Sequence, residues 1–399
     1  MPSNHKTELS PELKQLEIDI FPVIEAINKT SLLVDEKILA RETTVAQDRL
    51  HLITEHIERK IGRPIRLESS AEVSDYLFEE SGFEVLKKTK NQNASSSMKV
   101  LKKLFDTHDS EVLGLLVKYR EASNILRHLK IVSRKTKDGQ LFPDITNHCS
   151  TGRLYSYLIN LRREAKRSII ASENDIFLEA DCKAQELTII ALLSEENELI
   201  EALSSGVDVH KLTARKLFNK TEVSTKERNI AKELNYSILY GTSAEGLSWN
   251  LNISKDDAKK LLSDWMSQYP HIAGWLEEQK RFIRENRYSM SAYGLKSFMD
   301  DGIEEDSKEC FKEERRLLNA LIQSIGAVFL KKSLIKAAGL GLKIHLTKHD
   351  ALVISSRSDL FKDARESLLE AMTMNWKGFT FKVTIKTGRS LALERQKLR

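Results

Sequence analysis

The order of strand and helix signals in this chain permits few folds. A short apolar strand signal ends at Asp181 and is followed at once by a helical pattern. A long helical stretch, 197–286, then precedes two alternating segments, 343–347 and 351–355, which a tight turn joins as a hairpin. A further helix leads to a last strand, 379–386. This order predicts a mostly helical α+β fold in which helices cover a small antiparallel sheet.

Helical periodicity dominates the first third of the chain. Apolar side chains recur at intervals of three and four residues from 21 to 61 and again from 98 to 133. The stretch 87–97 is rich in lysine, asparagine and serine, which predicts an exposed loop. This loop is either a solvated surface loop or a basic tip that contacts a phosphate backbone. We expect residues 1–20 to be a polar lead-in and 21–140 to form a helical unit.

Composition limits the binding partners and the cellular compartment that this chain can have. The net charge is +5 and 30% of the residues are charged, which is compatible with nucleic-acid binding without establishing it. The three cysteines, Cys149, Cys182 and Cys310, match no metal-ligand spacing, which favours a reducing environment. No secretory signal is visible, and no apolar run approaches the ~18 residues of a membrane span. We expect a soluble, cytoplasmic protein without a membrane partner, associated with the nucleoid if its source is a bacterium or a phage.

One helical segment combines cations and aromatic rings on a single face. The segment that ends at Gly241 places four such residues four positions apart, in a slowly turning stripe: Arg228, Lys232, Tyr236 and Tyr240. Apolar residues on the opposite side would seat the helix on a core, and the glycine would end it. Two cations one turn apart suit a polyphosphate, and a ring beyond them suits a base or a sugar. An ordinary solvent-exposed helix face would have the same spacing.

Two aspartates occupy comparable places in the predicted sheet. Asp181 ends the first strand, and Asp350 lies in the turn of the hairpin. Carboxylates at strand ends of one sheet can converge, and such a pair of hard oxygen ligands suits Mg²⁺. Two ions about 3.5–4 Å apart would stabilise the attacking and leaving oxygens of a phosphoryl displacement. A single aspartate in a turn is otherwise explained by turn chemistry.

These segments resemble the motifs of family A DNA polymerases, the DNA polymerase I family, in the same order and at roughly the same spacing. Residues 181–186, 228–241 and 349–350 resemble motifs A, B and C. Three further segments are similar to the family's primer-side TGR motif, its fingers segment with a triphosphate-side histidine, and its minor-groove helix: 151–154, 208–210 and 319–326. The helical first third is similar to the family's thumb.

The resemblance implies a right-hand polymerase with a helical thumb, helical fingers and a palm built on an antiparallel sheet. The thumb would be 21–140, the fingers 196–312, and the palm 141–195 together with 313–399. Such an enzyme adds dNTPs to a primer 3′-OH by two-metal-ion nucleotidyl transfer, and we expect it to lack a proofreading exonuclease and a 5′-nuclease. Two Mg²⁺ ions, for which Mn²⁺ can substitute, and primer–template DNA are implied. We expect a monomer that meets replication or repair accessory proteins.

The resemblance also implies a role for each matching residue. The metals would be held by Asp181, Asp350 and the backbone carbonyl of Cys182. The two aspartates and Lys232 would be catalytic, with the lysine as general acid for pyrophosphate. Contacts to the dNTP are implied for six residues: Arg228, Lys232, Tyr236, His210, Gln185 and Glu186, the last as the steric gate against a ribose 2′-hydroxyl. Contacts to the primer–template are implied for Arg153, Tyr240, Arg315, Asn319, Gln323 and His349.

The chain departs from the family pattern at several positions. Motif C usually continues as His-Asp-Glu, whereas Ala351 follows the aspartate here, so we expect activity with weaker metal or primer-end positioning. Tyr236 stands where many members have phenylalanine, and tyrosine there accompanies acceptance of dideoxynucleotides. Lys183 adds a cation beside the motif A aspartate. The stretch 160–167 is shorter than in the familiar enzymes and lacks their proline-bearing loop.

Two other functions remain open. A single-subunit RNA polymerase shares the palm and the design of motif B, although Glu186 argues against it. A non-catalytic DNA-binding relative of a polymerase is suggested by Ala351 and the short stretch 160–167. Retention of the two aspartates with Arg228 and Lys232 argues against that reading. Gap filling, lesion bypass and mobile-element replication are all compatible with a polymerase that lacks an exonuclease.

Overall fold

The computed structural model describes residues 6–147, 150–305 and 307–395. Cys149 lies outside the described residues, whereas Cys182 and Cys310 are buried, free thiols. Helices account for most of the described chain, and the strands form small antiparallel sheets. The predicted α+β class, mostly helical, is confirmed.

The first part of the chain is mainly helical, as its periodicity predicts. Its elements in chain order are β1 (Thr7–Glu8), α1 (Pro11–Lys29), β2 (Leu32–Val34), α2 (Glu36–Ile61), α3 (Ser70–Asp75), a π-helical turn (Tyr76–Glu80), α4 (Met98–Thr107), α5 (Glu111–Lys135) and β3 (Gln140–Leu141). Helices α2, α4 and α5 enclose a core of their own, which includes Ile57, Leu77 and Leu104.

Helix α1 begins inside the segment that we expected to be a polar lead-in. Ser10 caps it by accepting a hydrogen bond from the backbone N–H of Leu13 at 3.2 Å, and Pro11 lies in its first turn. Leu13 and Leu16 are buried against Leu295. The lead-in prediction is wrong from residue 11 onward, because charged residues between the apolar positions obscured a helical spacing.

The middle of the chain has a strand followed by the predicted series of helices. Its elements are a 3₁₀ turn (Tyr157–Asn160), α6 (Arg163–Arg167), β4 (Ile169–Ile170), β5 (Asp175–Cys182), α7 (Gln185–Ser194), α8 (Asn197–Ser205), α9 (Val209–Phe218), α10 (Thr225–Leu239), α11 (Ala244–Leu251), α12 (Lys255–Gln268), α13 (Pro270–Asn286), β6 (Tyr288–Met290) and β7 (Lys296–Phe298). The buried aromatic pair Trp265 and Tyr269 lies in the core of this helical region.

The last part returns to the sheet. Its elements are α14 (Lys308–Gly339), β8 (Lys343–Lys348), β9 (Ala351–Arg357), a 3₁₀ turn (Ser358–Leu360), α15 (Phe361–Met372), β10 (Asn375–Trp376), β11 (Phe379–Thr380), β12 (Val383–Gly388) and β13 (Glu394–Arg395). The predicted hairpin is confirmed. The predicted last strand is divided, because Phe379 and Phe381 pack into the helical core before β12 joins the sheet.

A five-stranded antiparallel sheet with the order β13-β12-β5-β9-β8 organises the molecule. Strand β5 is central, and its residues alternate between the two faces. Leu178 and Ala180 face the core formed with α1, α14 and α15. Phe177 and Val353 lie in the core on the other side. Because Glu179 and Asp181 alternate with Leu178 and Ala180, they lie on the same face of β5 as Phe177.

Helix α14 is longer and more apolar than the sequence analysis expected of any segment. Among the residues that the structure describes, it is the one helix long and apolar enough to cross a membrane by length and composition. Within its most apolar window, 78% of the residues are buried inside the protein. Leu321, Ile325 and Phe329 pack in the helical core, as in the central helix of a folded domain.

Residues 87–97 form the predicted loop, with an isolated bridge between Lys88 and Ala94. The loop lies beside helix α11, which carries Trp249. The indole of Trp249 packs against the core of the first part, with the ammonium groups of Lys103 and Lys87 at 4.5 and 6.0 Å from its ring. Part of the loop's positive charge is therefore directed at an aromatic ring of the same chain.

Candidate active site

The sheet brings the two aspartates of the sequence analysis together. Asp181 is the penultimate residue of β5, and its cross-strand partner on β9 is Ala351. Asp350 immediately precedes that partner, in the hairpin turn that His349 enters with a positive φ of 54°. The backbone N–H of Cys182 donates to the carbonyl oxygen of Asp350 at 3.3 Å. Backbone pairing therefore places both carboxylates at the same end of two adjacent strands.

The surroundings of Asp350 disfavour its ionisation. Burial raises the pKa of Asp350 to about 7, with the negative charge of Asp181 as the next largest cause. Burial also raises the pKa of the Cys182 thiol to about 12, so this side chain is no thiolate ligand at neutral pH. A divalent cation between the carboxylates would remove their repulsion.

The donor set fits a hard divalent cation. Asp181 and Asp350 offer carboxylate oxygens, and the backbone carbonyl of Cys182 adjoins them. Among residues 6–147, 150–305 and 307–395, no group of three or more His, Cys, Asp or Glu side chains forms a metal site. Mg²⁺ commonly binds through one or two carboxylates and completes its octahedron with water and substrate phosphates. The residues present therefore suit Mg²⁺ held jointly by protein and substrate.

A cavity of about 630 Å³ opens beside the carboxylates. Its lining includes twelve of the predicted site residues: Arg153, Asp181, Cys182, Gln185, Glu186, His210, Arg228, Lys232, Tyr236, Tyr240, His349 and Asp350. Three of the residues predicted to contact the primer–template are absent from this lining: Arg315, Asn319 and Gln323. The structure thus gathers the motif A, B and C residues around one cavity and leaves the α14 residues beside it.

Helix α10 carries the cationic wall of the cavity. Ser224 and Glu227 form a capping box at its start. Its own residues Leu234 and Ile238 are buried in the helical core. The Arg228 guanidinium donates to Asp208 at 2.8 Å. Among the described residues, no hydrogen-bonding or ion-pair partner of the exposed Lys232 ammonium is found, so its three N–H donors can meet a ligand.

Asp208 links this wall to helix α9. Its carboxylate accepts from the backbone N–H groups of His210 and Lys211 at 3.1 and 3.2 Å, which caps the helix, and it also holds Arg228. Burial raises the pKa of Asp208, but the hydrogen bonds from the guanidinium and the backbone outweigh it and lower the pKa below its ordinary value. One carboxylate thus fixes the helix end and the arginine together.

The proton on His210 can be assigned from its neighbours. The Trp265 indole N–H, which can only donate, donates to Asn235 Oδ1 at 2.7 Å. The Asn235 amide nitrogen therefore donates to His210 Nδ1 at 3.0 Å, which leaves the ring proton on Nε2. Burial lowers the pKa of His210 to about 4 and outweighs the negative charge of Asp208, which alone would raise this pKa. The imidazole is a neutral N–H donor at pH 7.

Glu186 joins the carboxylate side of the cavity to the end of α10. It forms an ion pair with Arg153 and accepts a hydrogen bond from the Tyr240 hydroxyl at 2.7 Å. Tyr240 follows the last residue of α10, so the predicted stripe leaves the helix at this position. The Tyr236 ring lies 5.8 Å from the His210 ring, which gives the cavity an aromatic side.

Close backbone approach explains two glycines near the site. Gly241 has a φ of +58°, and a Cβ there would come within 2.8 Å of Arg315. This contact places Arg315 directly behind the turn that follows Tyr240. Gly326 gives room to the buried amide of Gln185, so this side chain lies against α14 as well as lining the cavity.

The α14 residues Asn319 and Gln323 are half-buried. Asn319 Oδ1 is buried and has no hydrogen-bond partner within the described part of the chain. A buried carbonyl oxygen without a partner is costly, so it is an available acceptor for a ligand.

Sequence reasoning missed the contribution of β12. Lys382 and Thr384 line the cavity, and the Thr384 hydroxyl donates to the Asp181 carbonyl oxygen at 3.3 Å. Lys386, two residues further, contacts the Asp181 carboxylate at 3.4 Å. The alternation of these polar residues along the predicted last strand was a usable signal, since it places them on one face.

Curated relatives of this chain carry the name DNA polymerase I. The chain is 26% identical to that of Chloroflexus aurantiacus over 92% of its own length and 42% of the relative's. It is 28% identical to that of Caldicellulosiruptor bescii (86% and 42%) and 27% identical to that of Bacillus subtilis (93% and 44%). The chain therefore spans less than half the length of these relatives.

The fold has a solved counterpart in the POL domain of Pol1 from M. smegmatis, whose structure is a complex with DNA primer-template and dNTP. The two superpose with a TM-score of 0.88 at 24% identity, over 96% of this chain and 72% of the other. The family model for DNA polymerase family A matches residues 36–392. The chain belongs to DNA polymerase family A.

Proposed function

We propose that this chain is a template-directed DNA polymerase that adds dNTPs to a primer 3′-OH. The observation that carries the proposal is one cavity in which Asp181 and Asp350 face Arg228, Lys232 and His210. Phosphoryl transfer needs this pairing of metal-binding carboxylates with donors for a triphosphate. The relatives named DNA polymerase I, and the neighbour whose complex contains DNA primer-template and dNTP, support the same activity.

Two Mg²⁺ ions are the metals that we propose, with Mn²⁺ as a substitute. Asp181, Asp350 and the backbone carbonyl of Cys182 would hold them. When bound, the ions would lower the pKa of the primer 3′-OH and neutralise charge on the leaving pyrophosphate. The protein's part is to hold both carboxylates at the same end of two adjacent strands, which the pairing of β5 with β9 supports.

The helical wall would hold the triphosphate. Arg228 is already oriented by Asp208, and His210 presents a neutral Nε2–H, so both can donate to phosphate oxygens without rearrangement. The ammonium of Lys232 would bind the same oxygens and donate a proton to the departing pyrophosphate. Lys382, which the sequence analysis missed, adds a fourth donor on the sheet side.

Sugar and base selection would lie between Glu186 and the rings of α10. Arg153 and Tyr240 fix the Glu186 carboxylate from two sides, so its position is rigid. A fixed carboxylate at the floor of the site would exclude a ribose 2′-hydroxyl, which favours dNTPs. Tyr236 would stack beside the sugar and base, and Gln185 would support this floor from below.

The primer–template would lie across the mouth of the cavity. Arg153 and His349 would hold the primer terminus, and Tyr240 would lie by the templating base. Arg315, Asn319 and Gln323 on α14 would contact the duplex outside the nucleotide cavity, which fits their position beside it. A monomer is sufficient for this arrangement. We place the enzyme inside the cell, where DNA and dNTPs are, in gap filling, lesion bypass or mobile-element replication with accessory proteins.

Primer extension tests the proposal. Wild type should extend a primer on a DNA template with Mg²⁺ and dNTPs, whereas Asp181→Ala and Asp350→Ala should not. Extension that persists unchanged in both variants would overturn the assignment. Replacing dNTPs by rNTPs separates it from a single-subunit RNA polymerase, which would prefer rNTPs. Tight duplex binding by wild type without incorporation would identify a non-catalytic relative.

A further inference from the structure

A second cavity, of about 220 Å³, lies under the hairpin. Four cationic side chains line it, Arg163, Lys166, Lys348 and Lys386, together with a single carboxylate, that of Glu179. Glu179 and Lys386 are cross-strand partners, two residues from Asp181 and Thr384 on the same strands. Because side chains alternate along a strand, this basic cavity and the active-site carboxylate share one face of the sheet.

The cations of this cavity outnumber its carboxylates. Lys386 donates to Glu179 at 2.5 Å and contacts Asp181, and Arg163 pairs with Glu394. The Lys166 ammonium donates to the carbonyl oxygen of Ile159 at 3.0 Å. For Lys348, no hydrogen bond or ion pair occurs with any residue in the described ranges. Within the described residues, neither the Lys166 nor the Lys348 ammonium forms a salt bridge with a carboxylate.

Mutual repulsion between these ammonium groups has a cost. Burial lowers the pKa of Lys166 to about 8, and the next largest cause is the charge of Lys348. Holding like charges around a cavity is unfavourable unless an anion enters it. The arrangement therefore fits an anionic ligand better than an empty space.

Ala351 offers Lys348 no carboxylate on the neighbouring strand. Asp181, Ala351 and Lys348 are consecutive cross-strand partners on β5, β9 and β8, so they form one row across the sheet. Directly opposed side chains in such a row lie within reach of each other. The family pattern has glutamate where this chain has alanine, and a glutamate there would offer Lys348 a carboxylate. The methyl group leaves the ammonium available to another anion.

We propose that this cavity binds a phosphate group of the primer-strand backbone, with Lys348 and Lys166 as the contacting residues. The inference rests on the proposed polymerase function and names a partner contact within it. Two residues along β5 span roughly 7 Å, so the cavity begins about one nucleotide upstream of Asp181, where the primer 3′-OH would react. Free inorganic phosphate or pyrophosphate has the same chemistry, and the experiment separates the two sources.

The first measurement is equilibrium binding to a labelled primer–template across a salt series. Lys348→Met should bind about 5-fold more weakly and have a log–log salt slope shallower by about 1, because each phosphate contact releases about one counterion. Lys166→Met should behave alike. Lys362→Met is the matched control, since it removes the same charge from exposed α15, which packs on the opposite face of the sheet. Thermal melting of each variant establishes that it is folded.

The second measurement uses primers with one neutral methylphosphonate at successive positions next to the 3′ end. For wild type, the neutral linkage that faces the cavity should weaken binding about 5-fold. The same linkage should cost Lys348→Met less than it costs wild type, because one of the two ammonium contacts is already lost. Fully additive losses at every position would overturn the proposal, as would Lys348→Met binding like Lys362→Met.

Free phosphate as the ligand gives a different result. In that case Lys348→Met would leave primer–template binding unchanged and would only weaken inhibition by inorganic phosphate or pyrophosphate, which overturns the proposal. Primer extension by wild type is measured on the same preparations. If wild type extends the primer but the lysine variants bind primer–template as wild type does, only the phosphate-binding role of this cavity is refuted. Absence of extension by wild type refutes the polymerase function, whatever the lysine variants do.

Discussion

The two walls of the active-site cavity are positioned by different means. The carboxylate wall lies on β5 and the β8–β9 hairpin, where backbone pairing fixes Asp181 and Asp350. The cationic wall lies on α9 and α10, where Asp208 accepts a hydrogen bond from Arg228 and Asn235 donates one to His210. The difference implies that the carboxylates keep their geometry when a side chain is changed, whereas the cations depend on supporting residues.

The largest effect is expected on the carboxylate wall. Asp350→Asn removes one charge without disturbing the backbone pairing, so it should lower the single-turnover incorporation rate by about 10³-fold or more while the protein stays folded. Asp363→Asn, an exposed change on α15, should leave the rate unchanged. A loss of less than tenfold in Asp350→Asn would mean that this carboxylate holds no essential metal.

A smaller loss is expected on the cationic wall. Lys232→Met removes the exposed ammonium without altering the buried side of α10, so incorporation should fall about 10²-fold, the usual contribution of a general acid. The loss should appear in the rate at saturating dNTP as well as in KM. Lys226→Met, two residues before Arg228 and exposed, is a control that should leave both parameters unchanged. A change in KM alone would limit Lys232 to binding.

The walls should also respond to pH in opposite directions. The pKa of Asp350 is raised to about 7, so the folded protein holds this proton more tightly than the unfolded chain does. In metal-free buffer this contribution is fully present near pH 4 and is lost as pH rises through 7. Asp350→Asn should therefore stabilise the metal-free fold by on the order of 2 kcal/mol more at pH 8 than at pH 5. Urea unfolding at both pH values is the measurement, and equal changes would contradict the burial of this carboxylate.

His210 provides the opposite and somewhat smaller response. Its pKa is lowered to about 4, so between pH 6.5 and 4 the unfolded chain binds the proton that the folded protein refuses. Stability should fall with pH in that range, and His210→Gln should remove about 1–2 kcal/mol of that decline. Unfolding curves at pH 7 and pH 5 test this. A variant as acid-sensitive as wild type would show that His210 is not held neutral.

Short-range signals predicted much of the fold and of the site. The strand ending near Asp181, the hairpin turn at Asp350 and the stripe on α10 depend on neighbouring residues, and the structure contains all three. The start of α1 was missed because charged residues dilute its apolar spacing. Lys382, Thr384 and Lys386 were missed because the pairing of β12 with β5 joins residues about two hundred positions apart. The hydrogen bonds from Trp265 through Asn235 to His210 arise from tertiary packing and have no local signature.

Counting metal ions tests the central claim most directly. Wild type is mixed with a dideoxy-terminated primer–template, the complementary dNTP and Mn²⁺, and bound Mn²⁺ is measured by electron paramagnetic resonance. We predict two Mn²⁺ ions per ternary complex for wild type and at most one for Asp350→Asn, with DNA binding retained. Two Mn²⁺ ions bound with unchanged affinity when Asp181 and Asp350 are both replaced by asparagine would contradict the account.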